Sequence, residues 1–356
     1  MISCITVENF RGFKSFTAPL TRFTLFGGKN NSGKTSLLEA FFFNYCHLDP
    51  NCFFKMNYLR HMNDQPLFTA ERLWEPLFND FDARNNLKIR LEREEGASEL
   101  VIVKNSSSTI PQDVYANMPT GGVLPTSFLS NYPLHFTYKV AEYEEKGDYL
   151  IHSNAVHIQV EKQNEDKANT QVILLFKSET FLDTNVVAQW FGQLVLGDKK
   201  KLVIDALKCF DKEIVDIQTI VKGSYGYLYV IFENGKKMPV SYMGDGMNRM
   251  LNILLGILSN PGSIILLDEV ENGFHYSMYQ QLWKLIGSAA VENGCQIIAN
   301  THSWDMLQGA MDGLKSIEQD KDLSYIRLDR NNHEIKAHIF SSDLLDYALS
   351  SEVEVR

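Results

Sequence analysis

The sequence predicts an α/β fold of the phosphate-loop kind, and three stretches carry the prediction. Gly28-Lys29-Asn30-Asn31-Ser32-Gly33-Lys34-Thr35 is a complete G-x-x-x-x-G-K-[ST] loop between the β-forming run Phe23-Thr24-Leu25-Phe26 and the apolar helical series Leu37, Leu38, Ala40, Phe41. Ile264-Ile265-Leu266-Leu267 is a buried-strand pattern that ends in Asp268-Glu269, and Gln296-Ile297-Ile298-Ala299-Asn300 is another, ending in Thr301-His302-Ser303. Strands that deliver functional residues to their C-terminal ends are how an open α/β sheet builds a ligand site.

Taken in order, residues 2–8 alternate as a strand, Asn9-Phe10-Arg11-Gly12 is a bend, and a second strand from Phe13 runs to Pro19, implying an edge hairpin. Arg11 and Lys14 are close enough in sequence to the loop to touch phosphate; solvated charges on an edge strand are the equal alternative. The apolar chain continues to about Leu59, and residues 67–82 read as a helix with Leu67, Phe68, Leu73, Trp74, Leu77 and Phe78 on a core-facing stripe, kinked or restarted at Pro76. Residues 87–93 and 99–104 predict a hairpin around Glu94-Glu95-Gly96-Ala97, and 134–140, 155–161 and 171–177 are further strand candidates in a β-containing insertion or lid. Helices are expected over 184–196 and 201–210, with Lys199-Lys200-Lys201 as a solvated helix start. Strands at 214–222 and 225–233 follow, and Asn234-Gly235 turns the chain into 236–241. After Ser303 there is sequence for a helix, strands 324–329 and 335–340, and a last helix.

Composition narrows the function. With 356 residues and 44% hydrophobic content, the chain can hold one large domain with an insertion, or two domains sharing a sheet. A formal net charge of −10 argues against coating nucleic acid by bulk electrostatics, although local basic patches permit DNA contact. Cys4, Cys46, Cys52, Cys209 and Cys295 form no C-x-x-C pair, and the N-terminus has no secretory n-region, so a cytoplasmic chain is expected. The longest apolar tract, Met250 to Leu267, is broken by Asn252, Ser259, Asn260, Pro261 and Gly262, and predicts no membrane span.

The chemistry follows from the residue types. The backbone N–H groups of Gly28 and of Asn30 to Ser36 (Asn30, Asn31, Ser32, Gly33, Lys34, Thr35, Ser36) form an anion cradle at a helix N-terminus, so a nucleoside triphosphate is the expected ligand. Lys34 is placed to reach the β and γ phosphates and the Thr35 hydroxyl to ligate Mg²⁺ with Asp268. Glu269 is the expected proton acceptor for the attacking water, and His302 the γ-phosphate sensor. Ser241-Tyr242-Met243-Gly244-Asp245-Gly246 opens another helix, and Ser241, Gly244, Asp245 and Gly246 make a second anion-binding feature. One nucleotide does not need two cradles, so a head-to-tail pair of chains is expected, each closing over the other's nucleotide.

The set Asn9-Phe10-Arg11, Gly28 to Thr35, Ser241 to Gly246, Leu267 to His275 and Thr301-His302-Ser303 resembles the ABC-type AAA ATPases of the OLD (overcoming lysogenization defect) class, relatives of RecF and SMC heads. The resemblance implies an ABC-ATPase-like head with a mixed central sheet, made from residues 1–60 and 211–356, and a β/helical lid inserted at 61–210. It implies a homodimer or higher homo-oligomer, with Lys34, Thr35, Asp268, Glu269 and His302 acting in one subunit, Ser241 to Gly246 across the interface, and Glu271-Asn272-Gly273 as the dimer-contacting loop. The glutamine by which such ATPases couple lid and metal has three candidates, Gln65, Gln159 and Gln171. No length remains after His302 for the Toprim nuclease domain of full-length OLD proteins. A separate effector protein, of which a Toprim-type nuclease is one form, and a DNA or phage-protein trigger are therefore expected, as in two-gene anti-phage systems; no membrane partner is. The alternative is a DNA-maintenance ATPase that clamps duplex DNA.

Overall fold

The computed structural model describes residues 1–58, 73–104, 133–152, 155–161, 171–177, 182–331 and 334–351. The first hairpin is β1 (Ile2–Phe10) and β2 (Phe13–Pro19), after which β3 (Phe23–Gly27) leads into the phosphate loop, α1 (Lys34–Cys46) and α2 (Asn51–Tyr58). β3 is buried along its whole length, as befits a strand with neighbours on both sides and helices on both faces.

Of the helix expected over 67–82, only Leu73 is α-helical among the described residues. Residues 67–72 lie outside the described residues, and 75–81 form two 3₁₀ turns, Glu75–Leu77 and Asn79–Phe81, separated by Phe78 in extended backbone. Pro76 lies in the first turn, where its missing N–H does no harm, and Phe78 is free to bridge back to Phe10. The apolar stripe does pack as expected at Leu73, Trp74, Leu77 and Phe78, all buried.

Next come β4 (Leu87–Arg93), β5 (Gly96–Lys104), β6 (Leu134–Val140), β7 (Tyr143–His152) and β8 (Ala155–Glu161). With β1 and β2 they form one antiparallel sheet in the order β2-β1-β4-β5-β6-β7-β8. Ile5 and Val7 of β1 oppose Leu91 and Ile89 of β4, so the apolar alternation of the first strand runs on into the insertion and fixes the register. β9 (Ile173–Phe176) leaves this sheet and joins the other one. Segment 61–210 is thus divided between two sheets.

The second sheet has the order β16-β15-β3-β14-β13-β9, with β13 (Ile264–Leu267), β14 (Gln296–Asn300), β15 (Leu323–Asn331) and β16 (Glu334–Ser341). All its pairings are parallel except β15 with β16, which is the mixed central sheet expected. Ile264 and Leu266 face α1 and the antiparallel sheet, while Ile265 and Leu267 face the helices on the other side. Those helices include α3 (Thr184–Leu196), α4 (Lys200–Lys208), α5 (Asp245–Ser259), α6 (Tyr279–Glu292) and α7 (Trp304–Lys315), and α8 (Ser342–Ser350) ends the described chain. A small sheet of β10 (Ile214–Lys222), β11 (Tyr225–Phe232) and β12 (Lys237–Pro239) carries α5 at its end. No helix among the described residues is long and apolar enough to cross a membrane.

Candidate nucleotide site

The C-terminal ends of β3, β14 and β13, three neighbours in the parallel sheet, meet at the phosphate loop. Gly28 and Gly33 take φ of +125° and +100°. A Cβ at Gly28 would lie 2.3 Å from the Leu328 carbonyl oxygen, and one at Gly33 would lie 2.8 Å from the Phe13 ring. Backbone angle and space both demand glycine there. Asn30 and Asn31 are exposed at the tip, Ser32 and Ser36 are buried beneath it, and an open cleft of about 550 Å³ separates Lys29–Ser32 from Arg327–Asn331.

Lys34 is buried, and its ammonium donates to the carbonyl oxygens of Gly28 (2.8 Å) and Lys29 (2.9 Å) and to Ser32 Oγ (3.3 Å). Burial pushes it down to about 8, opposed by the nearby carboxylates of Glu271, Asp268 and Glu269. One residue on, the Thr35 hydroxyl donates to Asp268 Oδ1 at 3.0 Å across 233 residues of sequence. The same oxygen accepts from Asn300 Nδ2, while Asn300 Oδ1 accepts from the Glu269 N–H. Asn300, at the end of β14, thereby fixes both acidic residues; its amide, with a donor and an acceptor side by side, suits that bridging. The sequence marked its strand and not this role.

Burial pushes the Asp268 carboxyl above its ordinary value, against the Asn300 hydrogen bond, the charge of Lys177 and the Thr35 hydrogen bond. Glu269 is half-buried with φ of +48°, and its Oε2 accepts from Asn272 Nδ2 at 2.6 Å. The exposed His302 follows β14, and its backbone N–H donates to Glu271 Oε1 at 2.7 Å. Lys34, Thr35, Asp268, Glu269 and His302 are therefore brought together.

Arg11 takes neither of its expected places. It is buried, and its Nε lies 2.8 Å from Glu39 Oε2 on α1, because the bend at Arg11 (φ +50°) turns it inward and Leu77 accepts its backbone N–H. Ser241 does not open a helix. It lies exposed in the 3₁₀ turn Val240–Tyr242, and α5 begins at Asp245 with Gly244 as its cap. Gly246 packs against Gly273, joining the start of α5 to the loop after the acidic strand.

Arg249, unremarked in the sequence, reinforces that junction: its Nη2 donates to the carbonyl oxygens of Asp268 (2.6 Å) and Glu269 (3.1 Å). Neither glutamine candidate among the described residues stands at the site. Gln65 lies outside the described residues, Gln159 is in β8, and Gln171 precedes β9 at the sheet's far end, bonded to Tyr45 and Gly262. The residue that emerges beside Asp268 is Lys177.

A family model described as "AAA ATPase domain" matches residues 1–186, more than half of the chain. The chain belongs to the AAA ATPase domain family. A second model, described as "AAA domain, putative AbiEii toxin, Type IV TA system", matches residues 134–305. A Helicobacter pylori protein named "ATP/GTP phosphatase" is 23% identical over 328 residues, 86% of this chain and 87% of that protein. Among solved structures, this AAA ATPase is similar to an SMC head bound to the C-terminal winged-helix domain of ScpA, at TM-score 0.49 and 12% identity over 96% of this chain and 98% of that one. It is also similar to the SMC head of Thermotoga maritima, at TM-score 0.44 and 9% identity over 96% and 98%. The α/β fold is that of an AAA ATPase, and the chain binds and hydrolyses ATP.

Proposed function

We propose that the chain is an ATP-gated switch of the OLD type, which pairs head to tail around Mg²⁺-ATP and passes its state to a separate effector in anti-phage defence. The observation that carries the catalytic part is the Thr35 to Asp268 hydrogen bond, which holds a hydroxyl and a buried carboxylate together at the mouth of the phosphate loop. Two hard oxygen donors suit Mg²⁺, which keeps several waters and takes its remaining ligands from phosphate. Bound there, the ion would neutralise charge on the β and γ phosphates.

The rest is done by the chain's own groups. The loop N–H groups and Lys34 hold the phosphates, His302 orients the attacking water, and Glu269 accepts that water's proton as the new O–P bond forms and the bond to the β-phosphate oxygen breaks. The exposed residues Ser241, Tyr242, Gly244 and Asp245 are the surface offered to the partner copy, with Glu271-Asn272-Gly273 beside it. A partner-dependent output is also in keeping with the toxin–antitoxin description of the second matching model.

The test is light-scattering mass with ATP and Mg²⁺ for the wild type and Glu269→Gln, alongside phosphate release with ATP and with GTP, with and without duplex DNA. Loss of turnover with the pair kept or strengthened supports the switch. Mass and turnover indifferent to nucleotide and substitution would sink it. Strong stimulation by duplex DNA, weakening with salt, would favour the DNA-maintenance reading.

A further inference from the structure

The cation beside Asp268 has a place that the switch mechanism leaves unexplained. Phe176 pairs with Leu267, and its carbonyl accepts the Asp268 N–H at 2.9 Å, so Lys177 emerges from β9 level with Asp268. Its side chain is 6% exposed, and its ammonium lies 3.4 Å from Glu39 Oε1. Glu39 is wholly buried, and its other oxygen is already 2.8 Å from Arg11 Nε. Among the described residues, Arg11 and Lys177 both contact this carboxylate, and the longer contact is that of Lys177.

Ammonium groups almost never reach this depth without anionic neighbours. The charge of Lys177 also acts on the carboxylate of Asp268, the residue proposed to hold a divalent cation. A Mg²⁺ on Asp268 repels an ammonium beside it, and Lys177 shares its Glu39 carboxylate with Arg11, so a further anion arriving with the metal stabilises Lys177 there. The nucleotide's terminal phosphate is such an anion.

The helix sets the reach required. Glu39 follows Thr35 by four residues on α1, so it lies on the same face, about one 5.4 Å turn deeper. A lysine's flexible four-carbon stem carries three rotatable donors and spans that step, whereas a cation cannot ligate the metal as an amide oxygen does.

The geometry points to Lys177 as a specificity residue for the nucleoside triphosphate, which pairs with the γ-phosphate and otherwise rests on Glu39. This rests on the proposed nucleotide site and adds to it a residue that distinguishes ATP from ADP. No covalent step is involved, and the role is read in binding, not turnover.

The experiment is titration of fluorescent ATP and ADP analogues, with Mg²⁺, into the full chain and its Lys177→Met, Lys177→Gln, Lys177→Arg and Lys34→Ala variants. Removing a charge-assisted contact is expected to weaken ATP binding about 10-fold in Lys177→Met and Lys177→Gln, with ADP binding changed less than about twofold and Lys177→Arg close to wild type. Glutamine keeps a hydrogen bond to Glu39, so it carries the reading if the methionine variant does not fold. A parallel loss of ATP and ADP binding, or no change in either, overturns the assignment. If Lys34→Ala loses ATP while the Lys177 variants behave as wild type, only this inference falls. If Lys34→Ala binds ATP as the wild type does, the phosphate loop is not the site and both readings fall.

Discussion

Glu269 combines a left-handed backbone with a side chain held by Asn272 and an N–H held by Asn300. For a residue with a Cβ that conformation costs about 1–2 kcal/mol, offset here by hydrogen bonds that aim the carboxylate. Glu269→Gln should cut phosphate release by about 10²–10⁴ and leave ATP affinity close to wild type, checked by a coupled phosphate assay beside a binding titration. Arg249 works one layer behind, because its donors fix the carbonyls of Asp268 and Glu269 and not their carboxylates. Arg249→Met should lower turnover more than nucleotide affinity, a split visible in kcat against Kd. Glu39 is a third case, buried between Arg11 and Lys177. Glu39→Ala leaves two buried cations without that carboxylate and should destabilise the chain by about 3 kcal/mol or more, measured by urea denaturation.

At the scale of elements, the start of α5 and the loop after β13 touch through backbone: a Cβ on Gly246 would lie 2.3 Å from the Gly273 carbonyl oxygen. Gly246→Ala must push the two apart, with an expected loss of about 1–3 kcal/mol in the same denaturation experiment. The strands around the site were legible because buried parallel strands read as unbroken apolar runs, as in Ile264 to Leu267. The carboxylates, the histidine and the phosphate loop were legible because each follows such a run. β7 (Tyr143–His152) was not, since Glu144, Glu145, Lys146, Gly147 and Asp148 interrupt its pattern, although Tyr149 is fully buried. The turns at 75–81 were misread because an apolar stripe alone does not separate a helix from 3₁₀ turns spaced by one extended residue.

At the scale of the molecule, sequence order hid how the parts join. Residues 61–210 look like an insertion along the chain, yet β4 pairs with β1 while β9 pairs with β13. Asn300, Lys177 and Arg249 reach the site only through such pairings and through α5, which is why no local motif announced them. The proposed dimerisation belongs to this scale as well. With ATP and Mg²⁺, Glu269→Gln should give a light-scattering mass twice that of the single chain, and Gly244→Trp, which puts bulk on the exposed cap of α5, should return it to one.

β3 has as its two neighbours β14 and β15, residues 296–300 and 323–331. During synthesis, then, the phosphate loop leaves the ribosome early and waits for most of the chain before its strand has anything to pair with. Such distant pairing is slow to form, and a nascent or prematurely ended chain lacking β14 should be blind to nucleotide. A chain cut short before β14 should therefore neither bind ATP nor consume it.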